Sequence, residues 1–300
     1  MNQIFRLNNR KKETLTFYLL ITPWLIGAAA FMLGPIIASL VLSFFEWDLI
    51  SPAKFIGLRN FEEMFAIDPL FWQSLKVTVI YVLFRVPLSL IAALFLALMM
   101  NQKIPGIGVF RTIYYLPSVI SGVAVSMMWI WIFNPNFGLM NGVLHFFGLP
   151  EPGWFSDPQW ALPTMILISL YSVGSTAIIF LAGLKAIPDV LYEAAELDGA
   201  SKIQQLFKIT IPQLTPSILF NVIMLTITSF QIFTEGLIIT GGGPANATLF
   251  FNLYLYENAF SYGRLGYASA LAWVLFALTF ICAFIVFKSS NRWVYYEGGE

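Results

Sequence analysis

Of 300 residues, 58% are hydrophobic and 11% charged, with 16 Lys or Arg against 16 Asp or Glu. A soluble domain carries about 25% charged residues. A water-facing fold cannot hide this much apolar surface, so a bilayer protein is implied. A net charge of zero says nothing about nucleic acid or acidic partners, and no nucleic-acid partner is expected. The lone Cys282 excludes an intrachain disulfide and the lone His145 a multi-histidine site, and neither a zinc cluster nor a Cys–His dyad is expected.

Basic residues (Arg6, Arg10, Lys11, Lys12) precede the first apolar stretch, 17–45. It is far longer than a signal-peptide core and no small-residue cleavage site closes it, which predicts a retained span. Five more stretches reach the roughly 20 apolar residues that a spanning helix needs: 75–100, 113–133, 162–184, 218–240 and 267–287. The prediction is an all-α, polytopic membrane protein of six helices, forming one transmembrane domain over 1–300. Pro35, Pro87 and Pro117 are expected to kink or break their helices.

Lys/Arg asymmetry sets the orientation. With the N-terminus in the cytoplasm, 11 basic residues (Lys103 among them) fall inside and three, Lys54, Arg59 and Arg264, fall outside; Lys76 and Arg85 lie at or within the second span. Both termini are therefore expected to be cytoplasmic. The 134–161 and 241–266 loops would lie outside. Trp24, Trp47, Trp72, Trp129, Trp131, Trp273 and Trp293 fit interfacial belts. No internal repeat is visible.

The segment 185–212, between the fourth and fifth stretches, is polar and patterned. Pro188 and Asp189, the latter as N-cap, predict a helix start, with Glu193 near the first turn. Leu191, Ala194, Ala195 and Ala200 make a small-residue face, and Gly199 ends the helix. Ser201 then opens a second amphipathic helix with Ile203, Leu206, Phe207 and Ile209 on its apolar side, stopped by Pro212. Elements this short need something to sit on. Two readings stand: a loop packed on the chain's own helices, or a docking element for a soluble partner.

This segment resembles the E-A-A-x3-G-x9-I-x-L-P signature of permease subunits of binding-protein-dependent ABC importers. Glu193, Ala194, Ala195, Gly199, Ile209 and Pro212 match, and Ile211 replaces the usual Leu. The extended form through Asp198-Gly199-Ala200 and the upstream run Leu181 to Pro188 are similar to the carbohydrate-uptake branch. So are Leu116-Pro117-Ser118-Val119, Trp129 to Asn134 and Thr240 to Thr248. The resemblance covers most of the chain from about residue 70 onward.

It implies a type I importer fold in the inner membrane, and a heteromer with a second, non-identical permease. Two cytoplasmic ATPase subunits and an extracytoplasmic binding protein complete the expected assembly. The helix bearing Glu193, Ala194, Ala195, Asp198, Gly199 and Ala200 would couple to one ATPase. No G-x4-G-K-[ST] run occurs here, so ATP and Mg are expected in the partner, and this subunit is expected to be a transport component rather than an enzyme. Gly241, Gly242, Gly243 and Pro244 would either enter the binding protein's cleft or form an ordinary connector.

Polar groups inside spans mark the candidate solute path: Tyr171, Ser172 and Ser175, then Asn221, Thr228, Ser229, Gln231 and Glu235. Tyr171 with Ser229 and Gln231 is the expected sugar grip. Maltose-type permeases carry an amide-rich pattern there, from which the apolar Leu225 and Ile232 depart. Span Ser and Thr residues also bond back to their own helix. Arg85 fits an ion pair, a snorkelling residue or a solute contact. Competing readings are a permease for a non-sugar solute, an ion-gradient-driven secondary transporter and an intramembrane enzyme using His145.

Overall fold

The computed structural model describes residues 2–102 and 104–295, with side chains from Lys11 onward. Lys103 and the side chains of Arg6 and Arg10, which entered the charge count, lie outside the described residues. Contacts divide the chain into two units, residues up to Ala66 with Asn258–Trp273, and Ile67–Glu257 with the residues from Val274.

The first unit opens with α1 (Asn2–Ala28), a π-helical turn (Ala29–Leu33) and α2 (Gly34–Leu42). The wider turn comes immediately before Pro35, whose missing N–H and ring would clash with a regular α-turn. So Pro35 is absorbed without breaking the span. Its apolar side chains stand bare, Phe31 at 84% and Leu20 at 77% exposure, as lipid-facing groups do. A two-residue hairpin follows, β1 (Phe45–Glu46) against β2 (Lys54–Phe55). It is fixed to α3 (Arg59–Ala66) by Asn60, whose Nδ2 donates to the carbonyls of Ser43 (2.8 Å) and Phe45 (3.0 Å).

The second unit is organised on α4 (Pro69–Met100), 32 residues and so about 48 Å long. Asp68 caps it, accepting from the backbone N–H groups of Leu70 and Phe71, and Pro69 occupies the first turn, where no N–H is needed. The expected break at Pro87 is absent: α4 runs through it. After α5 (Ile107–Tyr115) a 3-10 turn over Leu116–Val119, which contains Pro117, leads to α6 (Gly122–Ile132), and the two helical pieces bend by 100° at Ile120 and Ser121. Next come α7 (Leu139–Phe146), α8 (Pro158–Ser169) and α9 (Gly174–Ala186). The α8–α9 bend is 48° and holds no proline. A Cβ on Gly174 would fall 1.9 Å from the carbonyl oxygen of Tyr114, so the chain there is laid directly on the end of α5.

Short helices α10 (Asp189–Leu197), α11 (Lys202–Gln205) and α12 (Ile211–Gln213) precede α13 (Thr215–Phe230). Pro212 does not stop the chain's helical course. A π-turn at Leu206–Thr210 accommodates it, and the 66° bend into α13 comes at Leu214. The 218–240 stretch is not one helix either: α13 ends at Phe230 with Gln231 as its cap, and helical structure resumes at Thr234 and runs into a π-turn at Gly236–Thr240. Short α14 (Phe251–Tyr256) precedes α15 (Leu265–Ser289), the last long apolar helix. Three helices are long and apolar enough to cross a membrane, and counting each bent pair as one span makes six among the described residues.

The core of this unit is built on small residues. Ala93 and Ala97 of α4 lie against Ala177, Phe180 and Leu184 of α9, all fully or nearly buried, and Leu214 closes the cluster. Alanines four apart let helix backbones approach closely where lipid supplies no hydrophobic drive.

Candidate functional site: a charged cavity, an exposed helix face and a knotted loop

A cavity of about 200 Å³ lies among α4, α6, the α8–α9 bend and the broken end of α13. Its walls bring Tyr171, Ser172, Thr228, Gln231 and Glu235 together, as the polar-residue pattern anticipates. Gln231 and Glu235 both reach it from the interruption that follows Phe230. Ser175 is exposed and not part of the lining, and Asn221 is buried and bonded back to the Ser217 carbonyl at 2.9 Å. Ser229 has no exposure. Its hydroxyl donates to the Leu225 carbonyl at 2.5 Å and accepts from Nη1 of Arg85 at 3.2 Å, so it holds a side chain rather than facing solute.

The sequence expectation left Tyr81 and Trp129 out of the solute path. Tyr81 lies one turn before Arg85 on the same face of α4, and the guanidinium carbon sits 5.5 Å from its ring centroid. Trp129 meets Tyr171 edge-on, with centroids 5.4 Å apart and planes at 90°. A Trp-Ile-Trp run gives no signal that separates a cavity wall from an interfacial belt, so Trp129 was placed in the belt. Aromatic faces beside hydroxyl, amide, guanidinium and carboxylate groups can grip a polyol through both its C–H and its O–H surfaces.

The second feature is α10. It starts one residue earlier than the capping pattern suggests: Pro188 is the N-cap, Asp189 is the first helical residue, and no side chain caps the end. Leu191 packs on the α4–α9 core, and Tyr192 Oη lies 2.9 Å from Thr210 Oγ1. The opposite face carries Val190, Glu193, Ala194 and Leu197, all exposed, Leu197 at 91%. Those positions repeat at three- and four-residue steps, so they form one stripe. Gly199 takes φ +77°, the left-handed turn that ends the helix. Beyond it, Ser201 and Gln204 close a capping box. Lys202 Nζ pairs with Glu196 Oε1 at 2.5 Å across the turn, and this partner draws the Glu196 carboxyl below its usual range. Ile203 and Phe207 are exposed instead of packed, at 70% and 63%.

The third feature is the 241–248 loop, which is bonded into a fixed shape. Thr248, with no exposure, donates to Gly243 O at 2.6 Å and also lies 2.7 Å from Thr240 Oγ1, while its N–H reaches Gly242 O at 3.2 Å. Gly242 is buried against Leu249 at φ +85°, whereas Gly241 is exposed and Gly243 and Pro244 are half-buried. With Asn134 and Pro135, Gly243 and Pro244 line a cleft of about 330 Å³, so the 134–161 and 241–266 loops meet there.

A membrane-spanning helical chain with a polar internal cavity, and with a short helix pinned on one face and bare on the other, is a transport subunit by architecture. Residues 85–295 match the family described as binding-protein-dependent transport system inner membrane component, and the chain belongs to that family. It is 48% identical to the probable ABC transporter permease protein YesP of Bacillus subtilis (strain 168), over 97% of this chain and 95% of that one. It is 37% identical to the sulfoquinovosyl glycerol transport system permease protein SmoG of Agrobacterium fabrum, over 89% and 87%. The lactose transport system permease protein LacF of Rhizobium radiobacter is also 37% identical, over 92% and 94%. Among solved structures, a chain of a bacterial ABC transporter that imports the acidic polysaccharide alginate superposes with a TM-score of 0.83 at 24% identity, covering 96% of this chain and 99% of that one. The fold is that of a type I importer permease, and the protein is a multi-pass inner-membrane component. Family membership sets aside the ion-driven carrier and the intramembrane enzyme.

Proposed function

We propose that this chain forms half of the translocation pathway of an ATP-driven carbohydrate importer and receives mechanical input from a separate ATPase through the exposed face of α10. The supporting observation is that face itself: Val190, Glu193, Ala194 and Leu197 stay bare while Leu191 and Tyr192 fasten the other side to the core. Glu193 suits pairing with a basic residue of the ATPase, and Ala194 and Ala195 permit close approach. Asp198, Gly199 and Ala200 turn the chain away from the contact. A rigid helix fastened this way transmits motion to α4 and α9. ATP and Mg are bound by two cytoplasmic ATPase subunits, a second, non-identical permease supplies the other half of the path, and both termini face the cytoplasm.

Carbohydrate cargo is supported by the relatives named for sulfoquinovosyl glycerol, lactose and trehalose/maltose transport, and by the aromatic and hydroxyl lining of the cavity. Tyr171, Ser172 and Gln231 face the solute, with Ser229 acting through Arg85. An extracytoplasmic binding protein docks at the cleft of Gly241, Gly243 and Pro244 with Asn134 and Pro135.

The test is co-purification of the chain with the products of neighbouring genes, wild type against Glu193→Lys and Leu197→Asp. Both side chains are exposed, so folding should be unaffected. An ATPase that accompanies wild type and is lost from the variants supports the coupling face. Failure to recover one, or full retention by both variants, removes it.

A further inference from the structure

Arg85 lies inside α4, the second membrane span, where a charge is expensive to hold. Nη1 reaches Ser229 Oγ, a hydroxyl already donating to its own helix, and the guanidinium faces the Tyr81 ring. Nε is buried and finds no partner, and Arg85 makes no ion pair among the described residues. Glu235 lines the same cavity without pairing with it. Buried guanidinium groups that serve structure alone are normally satisfied on all sides. This one is half-buried with its Nε enclosed, is held by neutral groups at the wall of the solute cavity, and has no carboxylate in salt-bridge contact among the described residues.

We infer that Arg85 is the specificity-determining residue of the pathway, and that the solute it selects is an acidic sugar whose carboxylate meets the guanidinium inside the cavity. The inference rests on the carbohydrate-importer reading and narrows it. A sugar hydroxyl accepts one hydrogen bond and leaves the charge as it was. A carboxylate accepts two parallel bonds from a guanidinium and also neutralises it. Trp129 and Tyr171, packed edge-on to each other, supply aromatic cavity wall for the sugar's C–H surface. Glu235 repels a carboxylate and accepts from hydroxyls, so the acid end of the solute is directed to Arg85 and the neutral end to Glu235.

The experiment uses the whole importer, with its ATPase and binding protein, in proteoliposomes. The probes are disaccharides of glucuronate, galacturonate and mannuronate, each beside its uncharged counterpart. Wild type is expected to import acidic members in preference. Arg85→Gln should lose about tenfold or more for them, the size of one charge-assisted contact, and clearly less for their neutral counterparts, so that the acidic-to-neutral uptake ratio falls. Co-purification of the ATPase with Arg85→Gln reports assembly. If that variant does not assemble, Arg85→Lys decides: KM for acidic sugars rises severalfold with kcat held, and an unchanged KM overturns the inference. Import of neutral sugars alone, or an equal loss for both classes in Arg85→Gln, also overturns it but leaves the carbohydrate reading intact. Uptake of no sugar by an assembled, ATP-hydrolysing wild type overturns both.

Discussion

Tyr192 Oη and Thr210 Oγ1 meet at 2.9 Å, and this one contact joins the helix proposed to touch the ATPase to the π-turn that feeds α13. Motion of α10 has two routes into the membrane, Leu191 on the α4–α9 core and Tyr192 on Thr210. Tyr192→Phe keeps the ring and its packing and removes only the hydroxyl. A hydrogen bond of this kind contributes about 1 kcal/mol, so solute transport per ATP hydrolysed should fall by roughly fivefold. Basal ATPase activity and assembly should stay the same. Coupled transport at wild-type stoichiometry in Tyr192→Phe would place the lever elsewhere.

The Glu196–Lys202 pair sits at the turn that directs α10 out of its contact. Lys202 lowers the Glu196 carboxyl from its ordinary value, so the pair's contribution is present above the ordinary carboxylate range and is lost as pH falls through the lowered value. Amide exchange over 197–205, corrected for intrinsic rates, should therefore quicken at acidic pH in wild type. In Lys202→Gln it should already be fast at neutral pH and change little on acidification. Both groups are exposed, so the effect is confined to the turn and global unfolding should not follow it.

The six apolar stretches are legible because hydrophobic length is a one-dimensional signal. The ends and breaks of the helices are not. The span of Pro117 passes into a 3-10 turn there and bends by 100° three residues later, while Pro87 leaves α4 continuous, although both rings remove the same backbone donor. A single lost bond is a small interruption in a 32-residue helix whose flanks are packed. The proline-free bend at Val173 follows from Gly174 lying on the Tyr114 carbonyl, a contact between residues sixty apart in sequence. The cavity shows the same division. Tyr171, Ser172 and Gln231 stand out as polar residues in apolar runs, whereas Trp129 and Tyr81 carry no such contrast. The helix–glycine–helix outline of 185–212 is legible because caps and glycine turns are local chemistry, although the N-cap falls on Pro188 and Pro212 does not stop the second helix. Even so, the exposure of Ile203 and Phe207 depends on what does not pack there.

Gly174 and Gly183 rank themselves by what a side chain would meet. At Gly174 a Cβ strikes backbone, the Tyr114 carbonyl oxygen at 1.9 Å, which nothing can move without shifting α5. At Gly183 it meets the Ser217 hydroxyl at 2.7 Å and a Leu214 methyl at 2.8 Å, both of which can rotate away. Gly174→Ala should cost about 3 kcal/mol or more, at the upper end of overpacking effects, and Gly183→Ala about 1 kcal/mol. Thermal melting of the detergent-solubilised importer would show the order, and an equal or reversed ranking would mean that α5 is not fixed against α9.

The 241–248 loop makes a prediction about position. If a binding protein docks on it, the contact falls on Gly241 and the rim of Gly243 and Pro244, because Gly242 is turned inward against Leu249. A cysteine at Gly241 should crosslink to the binding protein in the ATP-bound complex. Both positions hold a left-handed φ, so the two variants share that strain; the one at Gly242 should crosslink poorly and also disturb the loop, since its Cβ approaches Leu249 within 3.1 Å. Thr248→Val supplies the structural control: it removes the bonds to Gly243 and Thr240 and leaves the outer surface untouched. Docking through a preformed loop predicts that Thr248→Val weakens the Gly241 crosslink severalfold, through the cost of ordering a loosened segment on binding. A crosslink as strong in Thr248→Val as in wild type would show that the loop is shaped by its partner and that its hydrogen bonds serve the fold alone.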